Sequence, residues 1–504
     1  MIKKLKLHIN GVYIDSKSEK YNNCYDPSTG EIIATVPECT KEEADLAVKS
    51  AVDAFPEWAN TPVVRRIQVL FSMRALIDKH LDELVHLVCQ EHGKCWEEGL
   101  GDVLKGREVI DFACGMPQLL KADCVTNITQ GYDTYQIKEP VGVFFGICPW
   151  NFPAMIPVGW MAPLCIAAGN TMIIKPAAEV PQTALKLMEL WMEAGLPKGV
   201  LNVLPCGNDT AEYLVKHPDI KGVTFVGSTS VGKHVYATAA AAGKRVQALC
   251  EAKNHALVLE DCNIDMAVNG IVNATFGCAG ERCMALPVIV VQESIADKVV
   301  EKLVEKAKAI VVGPGYEKKS ILGPLVNAKH KEFVCNWIET GVKEGAKLIL
   351  DGRKHVVKGY EKGFYVGPTI FDNVKEGMSV GEKEVFGPVL FIKRVENFEE
   401  GLSLMNKIPF ANGSTIYTQS GYYAREFSRR THAGMVGINV GTPVPMSIFG
   451  FTGHKSSFFG DLHVMGSDGV RFYTQLKTVT AQWFTETTSR KVDTWDGMLD
   501  TGKK

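Results

Sequence analysis

Between Val141 and Ala252 the chain switches repeatedly between short apolar, β-branched runs and segments of helical periodicity. In order they are VGVFFGICPW, MAPLCIAAG, NTMIIKP, QTALKLMELWMEAG, GVLNVLP, DTAEYLVKH, GVTFVG, SVGKHVYATAAA and RVQALCEA, strand alternating with helix throughout. A strand that is apolar on both sides needs cover on both faces, and the intervening helices supply it. The pattern predicts an α/β fold built on a parallel sheet.

A second α/β series begins after about residue 253. HALVLED, PVIVVQES, AKLILDG, GPTIFDNV and PVLFIKRV are strand-like, with IADKVVEKLVEKAKAI and AKHKEFVCNWIETGVKEG as helices between them. Residues 41–95 read as helices, with Thr40 as N-cap, acidic residues in the first turn and a stop at Gly93. The opening MIKKLKLHINGVYIDS reads as an edge strand and a hairpin over Asn10-Gly11. Two stretches fall outside both series. NITQGYDTYQIKEP (127–140) and VRFYTQLKTVTAQWF (470–484) alternate polar and aromatic residues and predict exposed strands that seek partners, as in a subunit interface. The tail after Trp483 is polar and expected to be loose.

A chain of 504 residues exceeds one ordinary core and implies roughly two or three domains. Its net charge of −2 leaves no excess of Lys and Arg to neutralise phosphates, which argues against a nucleic acid or an anionic membrane as partner. No signal-peptide core and no apolar run of about 18 residues is present, so the expected compartment is the cytoplasm. The 14 cysteines are scattered without a CxxC pair. That spacing predicts no metal site and reduced thiols, most of them small core residues.

Four stretches bear chemistry. FVGSTSVG places Gly227, Ser228 and Gly232 between a strand and a helix, whose N-terminal amides suit a pyrophosphate. In CPWNFP, Asn151 follows a strand directly and could donate to an oxyanion. GNTMIIKP puts Lys175 at the carboxyl end of a strand, within reach of ribose hydroxyls. Each alone has a plainer explanation: a tight turn, a turn-forming asparagine, a solvated lysine. FGCAGERCMAL holds Cys283 among small residues, beside Arg282. A thiol with a lowered pKa and an open approach can attack an aldehyde. Asn151 and the Cys283 N–H could hold the resulting alkoxide, and a nicotinamide could take hydride, leaving a thioester. The stretches fit one another as a dehydrogenase that works through a covalent intermediate.

PWNFP, GNTMIIKP, FVGSTSVG, GERCMAL, EVFGPVL and GHKSSFFG stand in the order and at about the spacing of the aldehyde dehydrogenase superfamily, which the chain resembles from about residue 6 to 484. AKNHALVLED, GERCMAL, AGMVGINVGTPVPM and KSSFFGDLH look like its CoA-acylating methylmalonate/malonate-semialdehyde dehydrogenase branch. The resemblance implies a Rossmann-like NAD-binding domain over residues 1–121 and 142–252 and an α/β catalytic domain over 253–469. It further implies a small β oligomerisation arm with the C-terminal tail over 122–141 and 470–504, in a homotetramer. It casts Cys283 as nucleophile and Asn151 with the Cys283 N–H as oxyanion hole. Lys175 and Glu384 would hold cofactor ribose hydroxyls, Phe386 would pack near the nicotinamide ribose, and Ser228 would sit at the pyrophosphate. Cys148, Trp150 and Cys250 would line the cofactor site, while Cys278 takes no role beyond packing.

Three departures bear on the chemistry. Hydrolytic members carry a water-activating glutamate in ELGGK; here the aligned stretch is LCEAK, with Leu249 at that place. Without the base, hydrolysis slows and the thioester is left to coenzyme A. Glu251 stands where the branch has Gly, and in a strand it would share a side with Leu249, about 6–7 Å away. A displaced base and a solvated or paired carboxylate both stay open. The branch motif KPSE is replaced by KPAAE, so Glu179 beside Ala178 is the candidate for the adenosine ribose, and NADP stays open beside NAD. Finally, of two arginines that grip the substrate carboxylate in the branch, one matches Arg282 and the other falls at Lys105, with Arg107 two residues on. Lysine offers a point charge rather than a bidentate fork, so the anion could be a carboxylate, a sulfonate or a phosphonate. The leading expectation is NAD-dependent, CoA-acylating oxidation of a small anionic aldehyde. Release of a free acid is the alternative, and the intact Cys283, Asn151 and Glu384 argue against a non-catalytic, crystallin-like relative.

Overall fold

A computed structural model describes residues 2–129 and 131–483; the predicted loose tail after Trp483 lies outside them. The first series builds an eight-stranded sheet. Its order is Phe458–Phe459, Arg245–Leu249, Ile220–Val226, Val143–Ile147, Thr171–Lys175, Leu201–Val203, Leu7–Ile9, Val12–Ile14. The five inner strands pair in parallel, and residues 143–146 and 171–174 are wholly buried, as two-sided cover requires. The chain fills one side of Val143–Ile147 first, then returns to fill the other with Ile220–Val226. The sheet therefore has a switch point between these two strands, where open α/β sheets form a crevice at the carboxyl ends. The N-terminal strands make the predicted hairpin, with Asn10 at φ 53 and Gly11 at φ 76, at the far edge.

The second series forms a seven-stranded sheet. It runs Lys347–Leu350, Thr369–Asp372, Val389–Val395, Val288–Gln292, His255–Val258, Gly413–Tyr417, Met435–Ile438, parallel except for its first strand. The division at residue 253 needs one amendment. Phe458–Phe459 pairs antiparallel with Arg245–Leu249, so a piece of the later segment completes the earlier sheet. Phe458 and Leu249 share the same apolar cluster, which accounts for the return.

The peripheral stretches form a three-stranded antiparallel sheet of Cys124–Thr129, Tyr132–Pro140 and Thr474–Gln482. The strand expected from residue 470 starts only at Thr474, because Gly466–Phe472 is helical. Phe472 and Tyr473 pack their rings on Phe144, 5.5 and 4.8 Å away, and draw that turn onto the large sheet. Among the described residues no helix is long and apolar enough to cross a membrane, and no group of three His, Cys, Asp or Glu is placed to hold a metal.

Thr40 caps Lys41–Asn60 through a complete capping box with Glu43. Trp96–Ala113 is the helix that matters for the site. A Cβ on Gly159 would lie 2.5 Å from Gly106 Cα, so glycines let this helix press against the π-helical turn Met155–Met161. That contact turns Glu98, Asp102 and Lys105 (one face at i, i+4, i+7) toward the crevice.

Candidate active site

Two cavities meet at one side chain. The first, about 210 Å³, lies at the switch point; Gly227 and Ser228 border it from one strand end, Trp150 and Asn151 from the other. Cys250, Glu251, Glu384 and Phe386 close it, and Ser228 and Phe333 stand exposed at its rim. The second, about 440 Å³, has an apolar wall of Phe152, Met155, Trp160, Val444 and Phe451, with Glu98, Lys105, Arg282 and Cys278 on the opposite side. Cys283 lines both.

The loop before Cys283 explains its placement. Cys278, Ala279 and Gly280 take φ of 49, 53 and 74°, three left-handed residues in succession. Such strain persists only where the surroundings impose it. A Cβ at Gly280 would come within 2.0 Å of the Gly387 carbonyl oxygen, so only glycine passes there. Asn254 and Asn412 then donate to the Cys283 carbonyl at 2.9 and 3.2 Å and fix the residue from behind. Neither asparagine was singled out from the sequence.

A lowered thiol pKa was expected; the opposite holds. Burial pushes Cys283 up to about 12, the nearby Glu384 carboxylate adds to this, and the backbone amides of residues 283 and 284 and Arg282 offset only part. Glu384 is itself raised to about 8, by burial first and then by Glu251, against a hydrogen bond from the Ala252 amide. The sulfur is thus a thiol near neutrality. Alkylation of Cys283 by iodoacetamide, followed on its peptide by mass spectrometry, should quicken about tenfold per unit between pH 7 and 9, tracking the thiolate fraction. A plateau near pH 7 would contradict a raised pKa.

Asn151 is buried and held at both ends. Its side-chain Nδ2 donates to the Glu281 carbonyl at 3.1 Å, and its own carbonyl accepts from Lys94 Nζ. An amide carries two N–H bonds, so one remains for another acceptor. Glu281 is wholly buried, and burial raises its carboxyl well above the usual range.

The expected anion grip is changed in kind. Arg282 does reach the second cavity, but its guanidinium already binds Glu98 at 3.0 Å and Cys278 Sγ at 3.1 Å. The Cys278 amide also donates to Glu98, at 2.6 Å. Lys105 pairs with Glu108 at 2.8 Å and donates to the Pro445 carbonyl at 2.8 Å, so it ties a loop to its helix. Arg107 turns outward to Asp78. A substrate anion must therefore share Arg282 with Glu98. Arg282→Leu strands the Glu98 charge in the cavity and should raise KM for an anionic aldehyde at least about thirtyfold more than for propanal, the 2–4 kcal/mol of a partly desolvated pair. Equal changes for both would make Arg282 purely structural.

The other expected cofactor contacts divide. Trp150, Gly227, Ser228, Cys250, Glu384 and Phe386 come together around the first cavity. Gly232 lies behind it, where a Cβ would meet Cys250 Sγ at 2.3 Å; its role there is close packing. Cys148 is buried against Met161, 3.6 Å from its sulfur. Lys175 ends its strand as expected but stands outside the first cavity, and its ammonium has no hydrogen-bond or ion-pair partner among the described residues. Glu179 borders a separate cleft with Ala178, Tyr21 and Asn327. Ala178, at the place where the branch motif has Glu, borders the same cleft.

The strand expected through Glu251 stops at Leu249; one residue on, the Cys250 amide donates to the Ser457 carbonyl of the neighbouring segment at 2.9 Å. Leu249 points into the apolar cluster. Glu251 turns the other way, and its carboxylate accepts from the Thr229 amide at 2.9 Å, at the start of helix Thr229–Ala241.

One family matches nearly the whole chain. The aldehyde dehydrogenase family model covers residues 13–479, and the chain belongs to that family. Malonate-semialdehyde dehydrogenase 1 of Geobacillus thermodenitrificans (strain NG80-2) is 47% identical over 483 residues, which is 96% of this chain and 99% of the relative. A protein from Sinorhizobium meliloti 1021, assigned as a methylmalonate-semialdehyde dehydrogenase and complexed with NAD, superposes with a TM-score of 0.95 at 40% identity. It covers 97% of this chain and 99% of its own. The methylmalonate-semialdehyde dehydrogenase of Oceanimonas doudoroffii gives 0.94 at 39% identity, over 96% and 99%.

Proposed function

We propose that this protein oxidises a small malonate-type semialdehyde with NAD and delivers the acyl group to coenzyme A. One observation carries the reading: Cys283 is the side chain shared by both cavities, and neither residue 249 nor residue 251 offers it a carboxylate to activate water. Leu249 is apolar, and Glu251 is spent on the Thr229 amide. The names of the relatives support the substrate class.

The residues around the first cavity fit a dinucleotide. Ser228 and the amides opening Thr229–Ala241 suit a pyrophosphate, and Glu384 suits a ribose diol. Glu251 now occupies one of those amides and would have to yield it. When bound, NAD supplies the hydride acceptor. Cys283 gives up its proton to solvent water, and its sulfur bonds to the aldehyde carbon as the carbonyl π pair passes to oxygen. The alkoxide so formed rests on the free Asn151 N–H and the Cys283 N–H. Loss of hydride from the same carbon leaves a thioester on Cys283. In a malonate-type acyl group the carboxylate is β to the thioester carbonyl. It leaves as CO₂, its electron pair passing to the enolate oxygen before protonation at carbon. The coenzyme A thiolate then displaces Cys283. Malonate semialdehyde with NAD and coenzyme A should thus yield acetyl-CoA by mass spectrometry; free malonate as the main product would overturn the acyl-transfer reading.

The peripheral sheet leaves Val125, Ile128, Leu476 and Trp483 more than half exposed, which supports its use as the arm of a homotetramer. Light scattering on a Trp483→Asp, Leu476→Asp double variant should show a smaller particle than wild type. An unchanged mass would remove the arm from the assembly.

A further inference from the structure

We propose that the buried Lys94–Asp102 pair is the positioning device of the Asn151 oxyanion donor. The inference rests on the reading of Asn151 as that donor and does not depend on the acyl acceptor. Both side chains are 0% exposed and 2.9 Å apart. An ammonium has three hydrogens and no acceptor, and all three directions are taken. One goes to Asp102 Oδ2, one to the Asn151 carbonyl, and the third faces the Phe152 ring, with Nζ 3.8 Å from its centroid. Asp102 Oδ1 accepts from the Met155 amide at 2.7 Å. The pair therefore grips the 151–155 turn at both ends.

Stability alone does not require such a pair. Two buried charges recover their desolvation cost only with excellent geometry, and apolar side chains of the same size often serve as well. What an apolar pair cannot do is fix the direction of the Asn151 carbonyl and hence of the residue's backbone. With Nδ2 tied to Glu281 O, the remaining N–H has one direction left. A catalytic donor must be held within about 0.5 Å of its productive place.

The anchor is itself immobile. A Cβ on Gly315 would fall 1.9 Å from the Lys94 carbonyl oxygen, and one on Gly323 would fall 1.9 Å from that of Gly93. The second sheet's connections thus lock the base of Lys94, while its tip holds a turn after a strand of the first.

The test is a double-mutant cycle on the NADH burst in single turnover, which reads hydride transfer before any acceptor acts. Asn151→Ala should slow the burst about 100-fold, the usual cost of one oxyanion donor. Lys94→Met should slow it about tenfold or more, with NAD affinity by fluorescence unchanged. In the Asn151→Ala background Lys94→Met should cost less than about twofold, because a residue acting through another has nothing further to lose. Multiplying losses would overturn the proposal. Should Lys94→Met not fold, Asp102→Asn replaces it in the same cycle: a loss that vanishes beside Asn151→Ala supports the proposal, and one that persists overturns it. An unchanged burst in Asn151→Ala alone would remove the oxyanion reading, and the proposal with it, while leaving acyl transfer to coenzyme A untouched.

Discussion

Cys283→Ala should abolish turnover, with at least about a 10⁴-fold loss of kcat, while NAD still binds. Removal of a nucleophile whose partners act as a unit typically costs that much or more. The first cavity, proposed to take the cofactor, is bordered by Trp150, Gly227, Ser228 and Phe386, none of which Cys283 supports by a hydrogen bond. Cys278→Ala is the control. Cys278 also borders the second cavity, but its sulfur is committed to Arg282 Nε. Its loss should cost about 1 kcal/mol of stability and leave the burst in place. Comparable rate losses in the two variants would sink the assignment of Cys283.

Free coenzyme A should raise steady-state turnover at least about tenfold when deacylation limits. A positioned carboxylate typically speeds water attack about 10²–10⁴-fold, and neither residue 249 nor residue 251 supplies one here. Leu249 is packed among apolar side chains. Glu251 faces the amide of Thr229. The Coulombic influence on the Cys283 thiol comes instead from Glu384, whose carboxylate is fixed by the Ala252 amide. A thiol needs less help than water, being intrinsically more nucleophilic and partly ionised near neutrality. Without coenzyme A, a burst of about one NADH per site should precede a slow phase, the mark of an accumulating acyl-enzyme. Glu251→Gln should leave that slow phase unchanged. If it suppresses a fast coenzyme-independent rate, Glu251 is a base after all, and absence of both burst and stimulation would end the acylating reading.

The two sheets, the hairpin at Asn10 and Gly11, and the strand-end placement of Asn151 and Gly227 were legible because each depends on local pattern alone. What the sequence hides is direction. Arg282 beside the nucleophile reads as a free cation until Glu98, 184 residues away, is seen across from it. Glu251 reads as a same-side neighbour of Leu249 only if the strand continues, and the strand ends at Leu249. The thiol's high pKa follows from burial by distant parts of the chain, which no window of FGCAGERC contains. One signal was available and passed over. Glu98, Asp102 and Lys105 share a helix face at i, i+4 and i+7, and three charges on one face flanked by glycines mark a surface turned toward something other than water.

Because Cys283 is a wall common to two cavities, the proposed chemistry would give its sulfur a front door and a back door. On that reading the aldehyde's body and the redox partner would not queue for the same entrance. Traffic on one side would turn over, spent dinucleotide out and next visitor in, while the acyl group stayed lodged on the other. Waiting would then be done by the covalent bond.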